Sequence, residues 1–536
     1  LPAGPLPALP TPTGIPEMPG PAAPGGPPAG QALGPTHGTL ALSLKEAIVR
    51  GLRYNPEIAI DRISVEIARW GVDIPRGAFD PAFFGDGSYG KNRDPFFAAN
   101  PFGGPINPVT GLPAGLVVNP SDVSHLDAGV RAKTILGTSL EMRYDVDRHT
   151  TDNVFALSPS WSPVASISVT QPLLRGGPLF PLGTDVNRAL VKIARNDHAI
   201  SEEVFRDRAL AVAFAVEQAY WNFVFARENL KVAELALATA ADLLEINRRK
   251  FQVGRVAEIE VLVAETGVAT REEAVIVARN AVGDARDGLF RLIMPRADGV
   301  AAAAGIAGSR ATAWDVELVA LDEPRADDRA IDLDRAFLDA LRNRPDYKEL
   351  ELALDSDETR VDKAWNERLP RLDAVGGWSE IGLGKSWGGS TNALADREFY
   401  DWTVGFQLEV PIFNTAPRAA LRQAELGRTA TRRRLDALEQ QIVLDVRTAA
   451  RSLLAARERV RANEIARRLA ERQLDNEKQR LEAGLATNHD VLLFEQDLTS
   501  ARTNYVKALV DRAVAAAQLD RVTATLLERH DIRLER

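Results

Sequence analysis

The sequence predicts a mainly α-helical protein that is built from two structural repeats, each with a strand-rich region. Residues 182–294 and 418–536 contain no proline, and because proline breaks helix interiors, these two runs predict very long helices. The opening segment of the chain recurs in its second half, which predicts a duplicated domain. Between these landmarks, short stretches alternate apolar and polar residues with a period of two, which is typical of strands.

Composition excludes several classes of function. The 536 residues include 65 Lys and Arg against 74 Asp and Glu, so the formal net charge is −9. This balance argues against a nucleic-acid partner, which normally requires a basic face. The chain has no cysteine, which excludes disulfides, thiolate metal sites and cysteine nucleophiles. Its six histidines are scattered and form no HExxH pair, so we expect no catalytic residue, no cofactor and no metal.

Two segments are poor in core-forming residues. Residues 1–40 hold 12 of the 32 prolines, and we expect a disordered Pro/Gly-rich segment there. Residues 91–120 are rich in Asn, Pro and Gly, and they are predicted to form a long loop. No window contains 18 consecutive apolar residues, so a transmembrane helix is not expected.

The repeat is visible as pairs of matching landmarks. Leu44, Ala47, Leu52 and Pro56 recur, at one constant offset, as Leu333, Ala336, Leu341 and Pro345. Gly254 and Glu260 recur at a smaller offset as Gly484 and Asp490, so the first repeat holds a longer segment between its landmarks. Strand-like stretches near 126–133 and 139–147 fall in that segment. The sequence therefore leaves open whether each chain contributes four strands or six.

These landmarks divide the chain into parts. The first repeat spans 41–294, with strands at about 79–171 and a helical hairpin at about 185–293. An inter-repeat linker covers 295–330, and the second repeat spans 331–530, with strands at about 371–412 and a hairpin at about 417–528. Apolar residues spaced by three and four between Leu435 and Val460 predict that the long helices pack as antiparallel coiled coils.

The alternating stretches have one apolar face and one polar face, as in a sheet between lipid and water. The apolar positions are Trp402, Val404, Phe406, Leu408 and Val410 in the second repeat and Ile167 and Val169 in the first. Tryptophans in the same regions suit an interfacial aromatic belt. For any single strand, a sandwich with one buried face is the alternative. Two long helical hairpins joined to these strands favour the membrane sheet, because a lone open sheet must still cover its apolar face and edges.

The chain resembles the TolC-type outer-membrane efflux proteins over about residues 41–530. The resemblance rests on the Leu-x-x-Ala-x-x-x-x-Leu-x-x-x-Pro start of each repeat, on both hairpin turns, and on the segments 169–177, 408–414 and 501–505. It implies a homotrimer in which strands of three subunits close one outer-membrane β-barrel and the long helices form a periplasmic α-barrel. The linker at 295–330 would lie on an equatorial belt around this tunnel.

The resemblance also implies a function. The chain would be the outer-membrane channel of a tripartite efflux or type I secretion system, a passive duct and not an enzyme. An inner-membrane transporter and a periplasmic adaptor protein would deliver the substrates, and outer-membrane lipid would surround the strands. The alternative is a soluble periplasmic coiled-coil scaffold without channel activity, and a dependence of solubility on detergent separates the two.

Acidic residues beyond the hairpin turns are the implied gate. Asp490 matches an acidic position of the family, and Glu260 is its counterpart in the first repeat. Three copies would place six carboxylates around the periplasmic entrance, where they would favour cations. The alternative is that both are first-turn residues favoured by the helix dipole.

The hairpin tips are the implied contact with the adaptor protein. The tip residues are Val253, Gly254 and Arg255 in the first repeat and Ala483, Gly484 and Leu485 in the second. Small exposed residues permit close approach of another helix. The alternative is that each glycine only ends its helix as a C-cap.

Overall fold

The computed structural model describes residues 39–97, 116–151, 156–179, 185–294, 317–324, 330–397, 399–483 and 485–534. Most of the predicted N-terminal segment 1–40 and of the predicted linker 295–330 lies outside these residues, and so does Gly484.

Each repeat opens with a short helix that ends where a longer one begins. The first repeat starts with strand β1 (Thr39–Leu42) and helices α1 (Leu44–Tyr54), α2 (Pro56–Gly71) and α3 (Asp73–Arg76). Ser43 caps α1, because its hydroxyl accepts the Glu46 N–H while its own N–H donates to the Glu46 carboxylate. Pro56 is the first residue of α2, a position that needs no N–H donor. The repeated Leu…Pro motif thus encodes a break between two helices.

The first repeat then contributes four strands and a long helical hairpin. These elements are β2 (Ala82–Phe97), β3 (Leu116–Lys133), β4 (Ser139–Thr151), β5 (Ser160–Pro172), α4 (Ala189–Gln252) and α5 (Glu258–Ile293). By length and composition alone, the segment Asp185–Gln252 contains a window apolar enough to cross a membrane. Since 61% of that window is buried inside the protein, we assign it to the core.

The second repeat follows the same order with two strands. Strand β6 (Glu317–Ala320) lies in the linker before this repeat, whose own elements are α6 (Leu333–Asn343), α7 (Pro345–Glu367), β7 (Arg371–Ile381), α8 (Trp387–Ala395), β8 (Tyr400–Glu409), α9 (Thr415–Glu482), α10 (Asn488–Val522) and α11 (Leu526–Arg529). The two longest helices, α4 and α9, have 64 and 68 residues, about 100 Å each at ~1.5 Å per residue. The sequence predicted these long hairpins, whereas the short helix α8 was not predicted.

The main sheet of the described chain has six antiparallel strands in the order β2-β3-β4-β5-β7-β8. The structure therefore settles the strand number that the sequence left open. The prediction of a loop over 91–120 is wrong at both ends, because β2 continues to Phe97 and β3 already starts at Leu116. Pro120 lies in β3 directly before Ser121, the first residue of β3 whose described pairing is with β4.

Each of the two longest helices, α4 and α9, packs against different helices in its two halves. Near its start, α4 packs against α2 and α7, where Arg208 pairs with Asp61 and Lys192 with Asp355. Towards its other end, α4 packs against α5 and α10. Helix α9 contacts α6 and α7 in one half and α10 in the other. Two shorter helices therefore match the length of one long helix, as expected for a rod-like bundle.

The largest buried cluster lies where these halves meet, around the middle of α4. It includes Tyr220 and Phe290, and β1 pairs in parallel with β6 beside it. The Tyr220 hydroxyl lies 3.1 Å from the Leu42 carbonyl oxygen and accepts the Asp322 N–H at 3.1 Å. Burial raises the pKa of Tyr220 to about 12. These contacts thus join the start of the first repeat to residues 317–322 of the linker.

Candidate functional site

One face of the six-stranded sheet is apolar and exposed on every strand. The register sets one residue of each strand side by side, namely Phe83, Val130, Met142, Ile167, Trp378 and Trp402. Their exposed fractions run from 42% for Val130 to 77% for Phe83. Monomeric soluble proteins rarely expose a contiguous apolar surface of this extent. The face therefore requires a covering of lipid or protein.

The apolar face continues along β8 for the depth of a membrane. All seven residues that the sequence predicted to face lipid are exposed, six of them on this face of the strands and Val410 directly after β8, namely Trp402, Val404, Phe406, Leu408, Val410, Ile167 and Val169. The nine steps from Tyr400 to Glu409 cover about 30 Å at ~3.3 Å per residue. A tilt of about 40° reduces this length to roughly 23 Å, close to the ~25 Å height of the apolar band of a membrane barrel.

Aromatic rings gather at the end of the sheet that lies away from the long helices. Trp378 stacks on Tyr400 with ring centroids 5.1 Å apart. Trp387 of α8 meets two rings edge-on, with centroid distances of 5.6 Å to Trp161 and 6.5 Å to Tyr144. Such rings are typical of the level where lipid meets water. Helix α8 therefore adds Trp387 to the aromatic rings that the neighbouring strands β7 and β8 supply.

The opposite face of the sheet is polar. From β3 to β8, one row across it consists of Arg131, Glu141, Ser168, Gly377 and Thr403. The ligand atoms of Asp86, His125 and Asp127 lie within 4.8 Å of one another, a grouping that metal ions can use. Arg143 already pairs with the buried carboxylate of Asp127, and His125 bonds Asp147 at 2.7 Å. Two of the three residues, Asp127 and His125, thus have charged partners within the protein.

The tip of the first hairpin is a tight turn around Gly254. The Gly254 N–H donates to Phe251 and the Arg255 N–H to Lys250, both at 2.8 Å, and Gly254 has φ +74°. This left-handed geometry ends α4 as a glycine C-cap does. Val253 is 69% exposed, and a Cβ at Gly254 would meet nothing within 4 Å. The turn therefore presents an open, partly apolar surface.

The second hairpin repeats this geometry. Ala483 caps α9, and the Leu485 N–H donates to Arg480 at 2.8 Å, the same closing bond that Arg255 makes in the first hairpin. Leu485 is 71% exposed. Gly484, between them, lies outside the described residues. Both tips thus carry one exposed aliphatic side chain beside the turn.

The two predicted gate carboxylates lie in the first turns of α5 and α10. Asp490 belongs to a capping box, in which its carboxylate accepts the Thr487 hydroxyl at 2.7 Å and the Thr487 N–H at 2.9 Å. These bonds hold the pKa of Asp490 below its usual value. Glu260 instead accepts a 2.6 Å bond from the Asn488 side chain. At both positions the carboxylate also interacts favourably with the dipole of its helix. The same two carboxylates can therefore stabilise the helix ends and face the lumen.

The hairpins are joined by buried polar residues that sequence reasoning missed. Asn488 is buried at the start of α10, and deeper in the bundle Arg271 of α5 pairs with buried Glu495 of α10 at 3.4 Å. Burial raises the pKa of Glu495, and Arg271 opposes that rise. The sequence did contain a signal for them. A polar residue at an otherwise apolar position of a helical seam often specifies the register of the packed helices.

Comparison with known proteins agrees with this architecture. The sequence profile of the family described as "Outer membrane efflux protein" matches residues 136–293 and 338–525. The chain is 26% identical over 392 residues to the alkaline protease secretion protein AprF of Pseudomonas aeruginosa, covering 73% of this chain and 75% of AprF. It is 24% identical over 319 residues to the outer membrane protein TolC of Vibrio cholerae, covering 58% of this chain and 67% of TolC. In fold it is similar to the Campylobacter jejuni CmeC outer membrane channel, with a TM-score of 0.60, 17% identity, and coverage of 90% of this chain and 86% of CmeC.

Proposed function

The chain belongs to the outer membrane efflux protein family, and from this membership we propose that three copies form a passive export duct with no catalytic step of its own. It is the outer-membrane channel component of an efflux or type I secretion system, and its helical tunnel extends into the periplasm. The observation that carries the proposal is the exposed apolar row that crosses all six strands, on a sheet joined to two long helical hairpins.

Assembly of three copies follows from the open sheet. Strands β2 and β8 are the edges of the sheet, and in lipid an unpaired strand edge leaves backbone N–H and C=O groups without partners. A single sheet of six strands is small for a barrel that encloses a channel. Closure by several copies removes every edge, and membership of the family supports the number three. The described part of the linker between the repeats 41–294 and 331–530, residues 317–324, lies beside the middle of α4, at the level of an equatorial belt around the tunnel.

The periplasmic mouth of this duct is lined by Glu260 and Asp490. Both residues lie one helical turn from a hairpin tip, so three copies bring six carboxylates to the same end of the tunnel. The bonds from Thr487 lower the pKa of Asp490 and favour its charged form. A narrow ring of such charges favours cations over anions.

The hairpin tips bind a periplasmic adaptor protein, which joins the duct to an inner-membrane transporter that supplies the energy. Exposed Val253 and Leu485 support an apolar contact at the tips. Because AprF is described as an alkaline protease secretion protein, a secreted protein is a cargo to test beside small molecules.

Native mass measurement of the detergent-extracted protein tests this proposal. We expect a trimer that requires detergent to stay in solution, because the apolar sheet face must be covered. A protein that stays soluble as a monomer without detergent would contradict the proposal and favour the periplasmic scaffold.

A further inference from the structure

We propose that β8 of one copy pairs antiparallel with β2 of the next copy, with Leu408 opposite Phe83, so that three six-stranded sheets close an 18-stranded barrel. This inference rests on the proposed function and adds the partner surface, the strand number and the register of the seam.

The two edge strands run in directions that permit this pairing. Strand β2 leads away from the helical end of the molecule, whereas β8 returns to it and continues into α9. The sheet has an even number of antiparallel strands, so its first and last strands point in opposite directions. A second copy placed beside the sheet therefore presents β2 antiparallel to β8, and the ladder continues without a break.

The stagger of the sheet determines the register. The apolar row that starts at Phe83, the second residue of β2, ends at Trp402, which seven residues of β8 follow. Both strands join helical segments, β2 after residues 77–79 and β8 before α9, so we place these strand ends at one membrane level. The second residue of β2 then lies opposite the second-last residue of β8, which is Leu408.

This shift from Trp402 to Leu408 preserves the two faces of the sheet. It spans six residues, an even number, so apolar positions of β8 meet apolar positions of β2. A six-residue shift over six strands is one residue per strand. With a rise of ~3.3 Å and a strand spacing of ~4.8 Å, it corresponds to a tilt of about 35°, which a closed barrel requires.

Side-chain size also fits across this seam. On the apolar face, Gly85 and Gly87 of β2 come opposite Phe406 and Val404 of β8, both of which are largely exposed in the single copy. Tyr89 comes opposite Trp402, which pairs two aromatic rings. Bulky residues packed across glycines stabilise strand pairs. On the polar face, the small residues Ser88 and Thr403 meet.

Disulfide cross-linking tests the register directly, because the chain has no cysteine of its own. We expect Ser88→Cys with Thr403→Cys, and Gly90→Cys with Asp401→Cys, to give covalent dimers and trimers on a non-reducing gel. Ser88→Cys with Gln407→Cys is shifted by four residues and should cross-link about tenfold less, since Cα atoms more than ~7 Å apart cannot be bridged. Ala82→Cys with Thr403→Cys tests a seam without stagger.

The outcomes separate the seam from the proposed function. Native mass measurement of the same detergent preparations reports assembly independently of cross-linking. A trimer that lacks the Ser88–Thr403 and Gly90–Asp401 cross-links overturns the seam alone, as does preferential cross-linking of the Ala82–Thr403 pair. A stable monomer overturns the seam together with the proposed trimeric duct. Covalent trimers that form only with the two matched pairs confirm the register.

Discussion

Asn488 donates a hydrogen bond of 2.6 Å from its side-chain Nδ2 to Oε2 of Glu260, and this bond joins the tip of the second hairpin to the tip of the first. Asn488 is buried, so if Glu260 did not accept this bond, water could not take its place without a rearrangement of the tip. The bond also fixes the position of one of the two proposed gate carboxylates. A lumenal role of Glu260 therefore depends on a residue of the other repeat.

Replacing Asn488 with Asp should loosen both tips. The new carboxylate would face Glu260 at hydrogen-bond distance, and the loss of the bond plus repulsion should cost about 1–3 kcal/mol locally. We expect amide hydrogen exchange around 253–258 and 485–491 to become about tenfold faster or more. Asn463→Asp is the control, because the Asn463 side chain donates within its own helix, to the Arg459 carbonyl oxygen of α9, and not across the hairpins. Unchanged protection at the tips would show that the bond does not hold the hairpins together.

Asp490→Asn combined with Glu260→Gln should lower the cation-to-anion permeability ratio of the channel. The amide introduced in place of the Asp490 carboxylate retains an oxygen that can accept the bond from Thr487, so the capping box survives while the charge is removed. The difference from the wild type should shrink at 1 M salt, where screening shortens to ~3 Å.

Glu425→Gln is the control for this experiment, because Glu425 pairs with Arg422 on an exposed part of α9 far from the tips. If the double variant keeps the wild-type selectivity at low salt, the two carboxylates serve only as helix caps.

Val253→Glu combined with Leu485→Glu should weaken binding of the adaptor protein and reduce export while leaving the trimer intact. Both side chains are exposed at the tips, so the change removes apolar contact without disturbing a core. Gly254→Asn is the matched control, since Asn tolerates the positive φ of this position and leaves both aliphatic contacts in place. Wild-type export by the double variant would mean that the adaptor binds elsewhere.

Glu349 should make the helical bundle less stable above neutral pH. Burial, with help from the nearby carboxylates of Asp207, Asp346 and Glu203, raises the pKa of Glu349 to about 7. Because the folded-state pKa lies above the unfolded value of ~4.3, stability is fully present below about pH 4 and is lost as the pH rises through 7.

Glu349→Gln should therefore raise the melting temperature by a few degrees at pH 8 and change it little at pH 4. The gain is about 1–2 kcal/mol once solvent screening of this half-buried group is allowed for. Glu351→Gln, at an exposed position two residues away, is the matched control, and we expect it to leave the melting temperature at pH 8 near that of the wild type. Equal effects of Glu349→Gln at both pH values would contradict the raised pKa.

The sequence predicted the features that depend on local periodicity. Proline-free runs and heptad-like spacing predicted the hairpins, and strict alternation placed Trp402 to Val410 on one face. The transverse row from Phe83 to Trp402 could not be predicted, because it depends on the register of five separate strand pairs.

Two further features were not predicted, the short helix α8 and the bond between Asn488 and Glu260. Helix α8 was missed because Gly388 and Gly389 interrupt its helical pattern, and its Ser386 cap lies in a glycine-rich segment. The bond between Asn488 and Glu260 joins residues 228 positions apart, so no local pattern signals it.

Single-channel recording in a planar lipid bilayer tests the central claim most directly. Purified protein extracted in detergent should insert and give discrete, long-lived conductance steps that favour cations, because three sheets close a water-filled barrel above a mouth lined by Glu260 and Asp490. Folded trimers that enter the bilayer and never conduct, even at high protein concentration and across both voltage polarities, would contradict the account of this chain as an export duct.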